Sequence, residues 1–467
     1  TLGKNQNQYS RRFILIALSN KTIMSLPKTI PEVSFFRFLN HANNILKNPL
    51  PFHAANFKKL GDIFRLNIGL GKSVLFCRDA GLLQYALQKN QKNYTKSYIQ
   101  TKDLAKYIGK GLLTAEGEHW QKQRKLIQPA FHKSQLVLLL DTIQQTILEE
   151  LKNIQTGKPM DVFPVFNDLA FQTVIKSIFN IAISDADVAS LQHTTEATQK
   201  MLVQELRQPF LVWWFHLSGK TQKHLDLTEN SRTILKRLVE DRKKSKTKHD
   251  DLLEMLLNAK YEDGTSMDEH QLVDEILILF AAGHETTSNA LTFTCELLAR
   301  NPDAQIKILE EIHRIKSESH DIMHWIKNAT YTKLVIEESM RLYPPAYFID
   351  RVNIEEDSFN GLTLPKGSNL LFSVYEIHRH PDFWKDPEAF IPERFLDENT
   401  KFSKNYFPFG AGPRMCIGNN FAMYEMILAI IALVEQFQID EKKVPIQIKP
   451  LITLKPHNAI LEFRKRE

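Results

Sequence analysis

Residues Phe409 to Gly418 read FGAGPRMCIG, and this stretch decides how the whole chain is interpreted. It precedes a predicted amphipathic helix from Asn419 to Phe437. A cysteine at such a junction presents its sulfur to the positive end of the helix, where free backbone N–H groups can donate hydrogen bonds. Because these surroundings favour a thiolate over a thiol, Cys416 is the first candidate for a metal ligand.

The other residues of this segment suit a loop that lies against a flat cofactor. The flanking glycines let the backbone approach a porphyrin face, where a side chain would clash. Pro413 stiffens the turn, and Arg414 offers a guanidinium fork to a carboxylate. The alternative is an inert buried cysteine, but Phe, Gly, Arg, Cys and Gly at five fixed offsets arise by chance in about one chain in ten thousand.

The segment resembles the haem-binding loop of the cytochrome P450 superfamily. The resemblance implies a mainly α fold with a small β region and a long central helix over the haem. It also implies haem b, with Cys416 as the iron ligand and dioxygen as the co-substrate. Phe409, Arg414 and Gly418 would bind the cofactor. A thiolate ligand pushes electron density towards iron and promotes O–O cleavage.

Composition narrows the class of protein. The net charge of +6 comes from 60 basic and 54 acidic residues, and no basic stripe interleaved with aromatic residues accompanies it, so we expect no nucleic-acid partner. Three cysteines in 467 residues are too few for a disulfide framework and indicate a reducing compartment. We therefore expect a cytoplasmic protein.

No linker or low-complexity stretch divides the chain, so we expect one catalytic domain over residues 1–467, with 1–60 as an N-terminal segment. The apolar run Phe13–Leu18 is far shorter than the roughly 20 residues of a spanning helix, and we expect no stable membrane anchor. No flavin or nicotinamide domain is recognisable. The resemblance then implies a separate ferredoxin or flavodoxin with its NAD(P)H-dependent reductase.

Helical patterns dominate the chain. We predict helices at Ser134–Gln155, Val165–Ile183, Ser266–Arg300 and Tyr331–Leu342, a hairpin at Ile63–Cys77, and strands at Leu370–Val374 and after Pro445. The helix from Ser266 opens on Ser266 and Glu269 at capping-box spacing. It is nearly apolar from Ile276 to Ala282, so it should run through the middle of the protein.

Trp120 and Arg124 lie one helical turn apart, and alone they would form a stacked pair at a surface. The resemblance implies that Trp120 and Arg124 bind a haem propionate. It also implies that Arg351 is a further propionate-binding arginine. Carboxylates buried beside iron need such cationic partners because unpaired buried charge is very costly.

Glu338 and Arg341 stand three residues apart on a predicted helix. Alone, such a pair is a surface salt bridge that contributes roughly 0.2–0.5 kcal/mol. The resemblance implies instead a buried structural triad, completed by Arg394 from the segment Pro392–Phe395.

The sequence AGHETT at Ala282–Thr287 interrupts the apolar run of the long helix. One account is a helix kink in which a threonine bonds back to a carbonyl. The resemblance implies an oxygen-binding groove, where Ala282 and Gly283 line the cofactor. Thr286 and Glu285 would be the catalytic pair that relays protons to the oxygen-reduction site. This acid–alcohol pair favours oxygen activation with electrons from a reductase.

The resemblance places the substrate pocket at Ala281, Ala346, Tyr347 and Phe348, with a lid from Lys96 to Ile108. The aromatic residues of 208–216 are interpreted as core or lid packing, with sugar stacking or membrane contact as alternatives. Two reactions stay open, namely hydroxylation of a hydrophobic compound and oxidative O-demethylation of a methyl ether such as a methylated sugar. The alternative functions are a peroxide-driven haem-thiolate enzyme, an isomerase of the same fold or a non-enzymatic haem sensor.

Overall fold

The computed structural model describes residues 30–69, 71–180, 183–208, 211–245, 247–401, 403–440 and 446–466. Over these ranges helices form the body, and the strands gather in one larger sheet and three small ones. This confirms the predicted fold class, mainly α with a small β region. The apolar run Phe13–Leu18 and the pair Pro209–Phe210 lie outside the described residues.

The helices of the described residues are numbered α1 to α20. They are α1 (Phe35–Asn40), α2 (Ala42–Lys47), α3 (Leu50–Leu60), α4 (Ala80–Gln84), α5 (Ala105–Ile108), α6 (Gly117–Ile127), α7 (Lys133–Leu136), α8 (Leu140–Glu150), α9 (Phe163–Ile178), α10 (Asp185–Arg207), α11 (Val212–Leu217), α12 (Lys220–Lys244), α13 (Leu252–Asn258), α14 (Glu269–Arg300), α15 (Pro302–Glu318), α16 (Ile322–Asn328), α17 (Thr330–Leu342), α18 (Val374–Ile377), α19 (Glu398–Lys401) and α20 (Asn419–Gln436). None of them is both long and apolar enough to cross a membrane.

The strands are numbered in the same way. They are β1 (Glu32–Val33), β2 (Ile63–Gly69), β3 (Lys72–Cys77), β4 (Tyr94–Thr95), β5 (Met160–Asp161), β6 (Phe348–Asn353), β7 (Asp357–Phe359), β8 (Leu362–Leu364), β9 (Asn369–Ser373), β10 (Phe437–Asp440), β11 (Gln447–Pro450), β12 (Leu454–His457) and β13 (Ile460–Lys465). The larger sheet has the order β1-β2-β3-β9-β6-β4, and the small sheets are β10-β13-β5, β11-β12 and β7-β8.

The long helix α14 runs through the core, as predicted, and α9 packs along it. Its predicted start was wrong by three residues. The Asp268 side chain caps the helix by accepting a hydrogen bond from the Gln271 N–H at 2.9 Å, whereas Ser266 forms an isolated β-bridge with Lys260. Aspartate is as good an N-cap as serine, so a capping pattern two residues away cannot decide between them.

The other boundaries differ by small amounts. The predicted helix at Ser134–Gln155 is divided into α7 and α8 by a 3-10 turn at Val137–Leu139. The helix predicted to reach Ile183 ends at Ile178, where Phe179 turns to an extended conformation. The predicted hairpin β2–β3 is present, with an irregular register between Asn67 and Gly69.

Candidate active site

The loop at 409–418 is closed on itself before α20 begins. The Cys416 N–H donates to the Phe409 carbonyl at 2.9 Å, and the Met415 N–H donates to the Gly412 carbonyl at 3.0 Å. Gly412 has φ of +71°, and a Cβ there would overlap the backbone carbonyl of Leu87. The contact with Leu87 is therefore sufficient to require a glycine at position 412, and the approach to a porphyrin face stays a prediction.

The Cys416 side chain is accessible at its surface, although protein atoms surround it closely. Burial raises the pKa of its thiol, whereas a hydrogen bond from the Gly418 backbone and the charge of Arg124 lower it. In the chain alone desolvation outweighs the two favourable contacts, so the thiolate stays a prediction for the metal-bound state. A bound metal cation would reverse that balance, since a coordinating thiol loses its proton.

The predicted propionate residues divide into two groups. Arg124 lies beside the cysteine loop, with its Nη1 donating to the Met415 carbonyl at 2.9 Å. Trp120 and Arg414 lie together, with the guanidinium carbon 4.1 Å from the centre of the indole ring. Arg414 also forms an ion pair with Glu116, which therefore holds the guanidinium in place.

Arg351 is buried next to this pair. Burial lowers the pKa of its guanidinium, the charge of Asp350 raises that pKa, and the charge of Arg414 lowers it further. Lys96, which was predicted only as the first lid residue, is buried in the same region. Burial, followed by the charge of Arg414, lowers the pKa of Lys96 to about 7. The sequence carried no signal for this role, because a single lysine in a polar stretch forms no motif.

These residues form what we call the haem-edge cluster: Lys96, Glu116, Arg351 and Arg414. Its three cations face the carboxylates of Glu116 and Asp350. The excess of buried positive charge fits the two propionates of a haem, because buried cations need anionic partners. The accessible Cys416 sulfur supplies the donor that haem iron requires.

The predicted triad residues are in contact. Glu338 and Arg341 are fully buried, and two hydrogen bonds of 2.7 and 2.9 Å join them. The Arg394 Nε donates to Glu338 at 3.0 Å. Arg341 also donates to the carbonyls of His378, Pro387 and Ala389. We call Glu338, Arg341 and Arg394 the core cluster.

The middle of α14 has two different faces. Ala282 is exposed and Thr286 is partly exposed, although most of the helix is buried. The Thr286 hydroxyl donates to the Ala282 carbonyl at 2.8 Å, and Thr287 donates to Gly283 at 3.0 Å. A side chain at Gly283 would meet Val174 at 3.0 Å. The accessible face is therefore lined by Ala282 and Thr286, whereas Gly283, which was also predicted to line the oxygen groove, faces Val174 of α9.

Glu285 lies on the buried face, and no hydrogen bond joins it to Thr286 in the described part of the chain. Its Oε1 is 3.7 Å from the Nζ of Lys455. Both residues line a small pocket of about 30 Å³, together with Glu196 and Lys200. Lys455 was missed by sequence reasoning because it follows α14 by more than a hundred residues.

Comparison with known proteins agrees with this geometry. The sequence profile described as "Cytochrome P450" matches residues 27–463. The chain belongs to the cytochrome P450 family. This P450 is a monooxygenase of that family, whose chemistry requires haem iron and O2.

Named relatives cover most of this P450. It is 26% identical to cyclooctat-9-en-7-ol 5-monooxygenase of Streptomyces melanosporofaciens over 86% of this chain and 87% of the relative. It is 28% identical to pentalenene oxygenase of Streptomyces avermitilis, over 88% and 90%. The protein LUTEIN DEFICIENT 5 of Arabidopsis thaliana is 30% identical, over 82% of this chain and 68% of the relative.

The predicted pocket residues of this P450 differ in their surroundings. Ala346 is exposed, and Ala281 and Phe348 are partly buried. Tyr347 is buried, and its hydroxyl donates to the Leu451 carbonyl at 2.7 Å. The side chain of Tyr347 therefore packs with Leu50 and Leu454, and its role as a pocket wall stays a prediction.

Tyr107 and Ile108, at the end of the predicted lid, meet the central helix through an apolar cluster. Its buried members are Tyr107, Ile108, Met201, Leu202, Phe215 and Ile278. The interpretation of the 208–216 aromatics as packing holds for Phe215. It is wrong for Trp213 and Trp214, which are 60% and 53% exposed.

Proposed function

We propose that this P450 binds haem b and hydroxylates a hydrophobic compound, with electrons from a separate redox protein. The observation that carries the proposal is the haem-edge cluster beside an accessible cysteine. Bound haem supplies the oxygen-activating chemistry. Cys416 would be its ligand, and Trp120, Arg351, Arg414 and Lys96 would hold its propionates.

The two faces of α14 suggest how protons enter. Thr286 lies on the accessible face, where its hydroxyl can donate to the oxygen-reduction site. Glu285 lies on the other face, in a polar cavity with Lys455. A carboxylate there can exchange protons with water, and water would have to connect it to Thr286, because no hydrogen bond joins the two side chains among the described residues. We propose Thr286 and Glu285 as the proton relay.

A hydrophobic substrate is favoured over a polar methyl ether. The cluster that joins the lid to α14 is built from Ile, Leu, Met, Phe and Tyr side chains, and apolar lining is usual for small-molecule sites. The names of two relatives indicate action on cyclooctat-9-en-7-ol and on pentalenene. We therefore propose a related class of hydrophobic molecule for this P450.

The electron donor would dock on the protein surface next to Cys416. Met415 is exposed there, and Arg124, which contacts it, belongs to α6 together with Lys122 and Lys125. Positive side chains at this face suit an acidic ferredoxin or flavodoxin, with its NAD(P)H-dependent reductase. We also propose one catalytic domain and a cytoplasmic location, in keeping with the unpaired Cys77 and Cys295.

Two spectroscopic measurements test the proposal. The reduced protein with carbon monoxide should show the red-shifted Soret band of thiolate ligation, and Cys416→Ser should lose it. Panels of hydrophobic compounds and of methyl ethers should then be added to the ferric protein. A Soret shift with methyl ethers alone would overturn the substrate class.

The variant Thr286→Ala tests the relay. The haem spectrum should stay unchanged, while product formed per electron consumed falls by about tenfold or more, as expected when a general acid is removed. Turnover with hydrogen peroxide alone, at full rate and without a reductase, would support the peroxide-driven alternative. Undiminished coupling in the variant would show that Thr286 does not relay protons.

A further inference from the structure

The segment from Gly109 to Thr114, which we call the strap, joins the lid to α6 and lies against the central helix. Two of its glycines face two neighbouring carboxylates of α14. A Cβ on Gly109 would overlap the Asp274 carboxyl group, and a Cβ on Gly111 would lie 2.5 Å from the Glu275 Oε2. The strap can approach α14 this closely only because both positions lack a side chain.

Hydrogen bonds fix the strap in this position. The Lys110 N–H donates to Asp274 at 2.7 Å, and the Leu112 N–H donates to Glu275 at 3.0 Å. Gln271, one turn earlier on α14, donates from its Nε2 to the Lys110 carbonyl at 2.7 Å. Hydrogen bonds from backbone N–H groups to a carboxylate are stronger than those between neutral groups.

The opposite side of the strap holds the haem-edge cluster. The Lys96 Nζ donates to the carbonyls of Leu112 and Leu113 at 3.2 and 2.6 Å. The Lys96 backbone N–H donates to Glu116 at 2.8 Å, and Glu116 pairs with Arg414. A continuous set of polar contacts therefore runs from α14, through the strap, to the guanidinium of Arg414.

Asp274 and Glu275 are 2% and 1% exposed. Adjacent buried carboxylates are a costly way to stabilise a fold, since apolar side chains of similar volume do so at least as well. Arg232 of α12 pairs with Asp274, whereas Glu275 takes hydrogen bonds from Leu112 and Gln271. The arrangement suits groups that must hold a backbone segment at a fixed distance.

We propose that Asp274 and Glu275 are positioning residues that latch the strap onto the central helix and so hold Lys96 and Glu116 at the edge of the haem site. The positioning of Lys96 and Glu116 at the haem site rests on the proposed function, whereas the latching of the strap onto α14 does not. A loosened strap would release the Lys96 ammonium and with it one cationic partner of the propionates.

The test compares Glu275→Gln with the parent holoenzyme. The substitution preserves size and removes the carboxylate that binds the Leu112 N–H. Because burial raises the pKa of Glu275 to about 7, exchange is measured at pH 8, where the carboxylate is charged. Amides 110–114 should exchange with deuterium about tenfold faster, and haem should transfer to an acceptor such as apomyoglobin about tenfold faster, as expected for one charged hydrogen bond. Amides of α9 should keep their exchange rates. The matched control is Glu269→Gln, which removes the same charge from the exposed start of α14, where Glu269 pairs with Lys243.

A second variant changes the strap instead of α14. Gly111→Ala places a methyl group against Glu275 and should reproduce both effects. If both variants exchange within twofold of the control, the latch does not exist. If exchange rises without faster haem transfer, the strap is latched but does not position the cluster, and that half of the proposal is wrong. Absence of the thiolate Soret band in the parent would overturn the proposed function instead, and would leave the exchange result unaffected.

Discussion

The core cluster and the haem-edge cluster are both built from buried and partly buried charged side chains, but only the first has all its hydrogen-bonding groups satisfied by the described protein. Every donor of Arg341 is used: its five N–H groups meet two Glu338 oxygens and three backbone carbonyls. Arg351 is also buried, yet among the described residues it makes one hydrogen bond, from Nη1 to the Asp350 carbonyl at 2.7 Å.

This difference separates a structural role from a binding role. A buried charge whose hydrogen-bonding groups are all satisfied holds its neighbours in place and has nothing to offer a ligand. A buried cation with unused donors is stable only with a further partner. The core cluster therefore stabilises the polypeptide, whereas the unused donors of Arg351 support the proposal that haem carboxylates complete the haem-edge cluster.

The largest expected effect is in the core cluster. Arg341→Gln leaves Glu338 buried, with Arg394 and the Ile391 N–H as its remaining partners among the described residues. Breaking a buried ion pair costs about 3–5 kcal/mol, and urea unfolding should show that loss. A variant within about 1 kcal/mol of the parent would mean that the cluster tolerates an incomplete set of contacts.

The matching substitution in the haem-edge cluster should change the rate of haem loss and leave the free energy of unfolding nearly unchanged. Arg351→Gln removes few protein contacts, so the urea midpoint should change little. Haem transfer to an acceptor should be about tenfold faster, because one charge-assisted hydrogen bond of roughly 1.5 kcal/mol is lost. Destabilised folding with unchanged haem transfer would reverse the roles of the two clusters.

The smallest expected effect is the pH dependence caused by Lys96. Its pKa is about 7 in the folded chain against an ordinary value of 10.5. Between these values the unfolded chain binds more protons, so stability rises as pH increases through this window.

Haem-extracted protein, checked for folding by circular dichroism, should therefore gain about 1 kcal/mol per pH unit near pH 8 relative to Lys96→Met. Haem carboxylates favour the charged lysine, so loading with haem should reduce this gain. An equal pH dependence in the two proteins would show that Lys96 is charged without haem.

The sequence predicted those parts of the site that are local in the chain. Cys416, its loop and the following helix are contiguous, and Glu338 and Arg341 share one helix. Boundaries were less certain, since Asp268 and Ser266 are both good caps and only packing selects the first. The placement of Glu285 and Thr286 on different faces of α14 follows from helical periodicity, but the partner Lys455 does not.

By itself the sequence determined the family and the helical body and predicted the cysteine ligand, because each depends on residues close together in the chain. Tertiary structure alone decided the haem-edge cluster and the strap. Their members come from separate segments, and each is an ordinary charged residue or glycine where it stands in the sequence. Folding brings these residues together and removes water from several like charges at once. This desolvation produces the site, and no local sequence pattern predicts it.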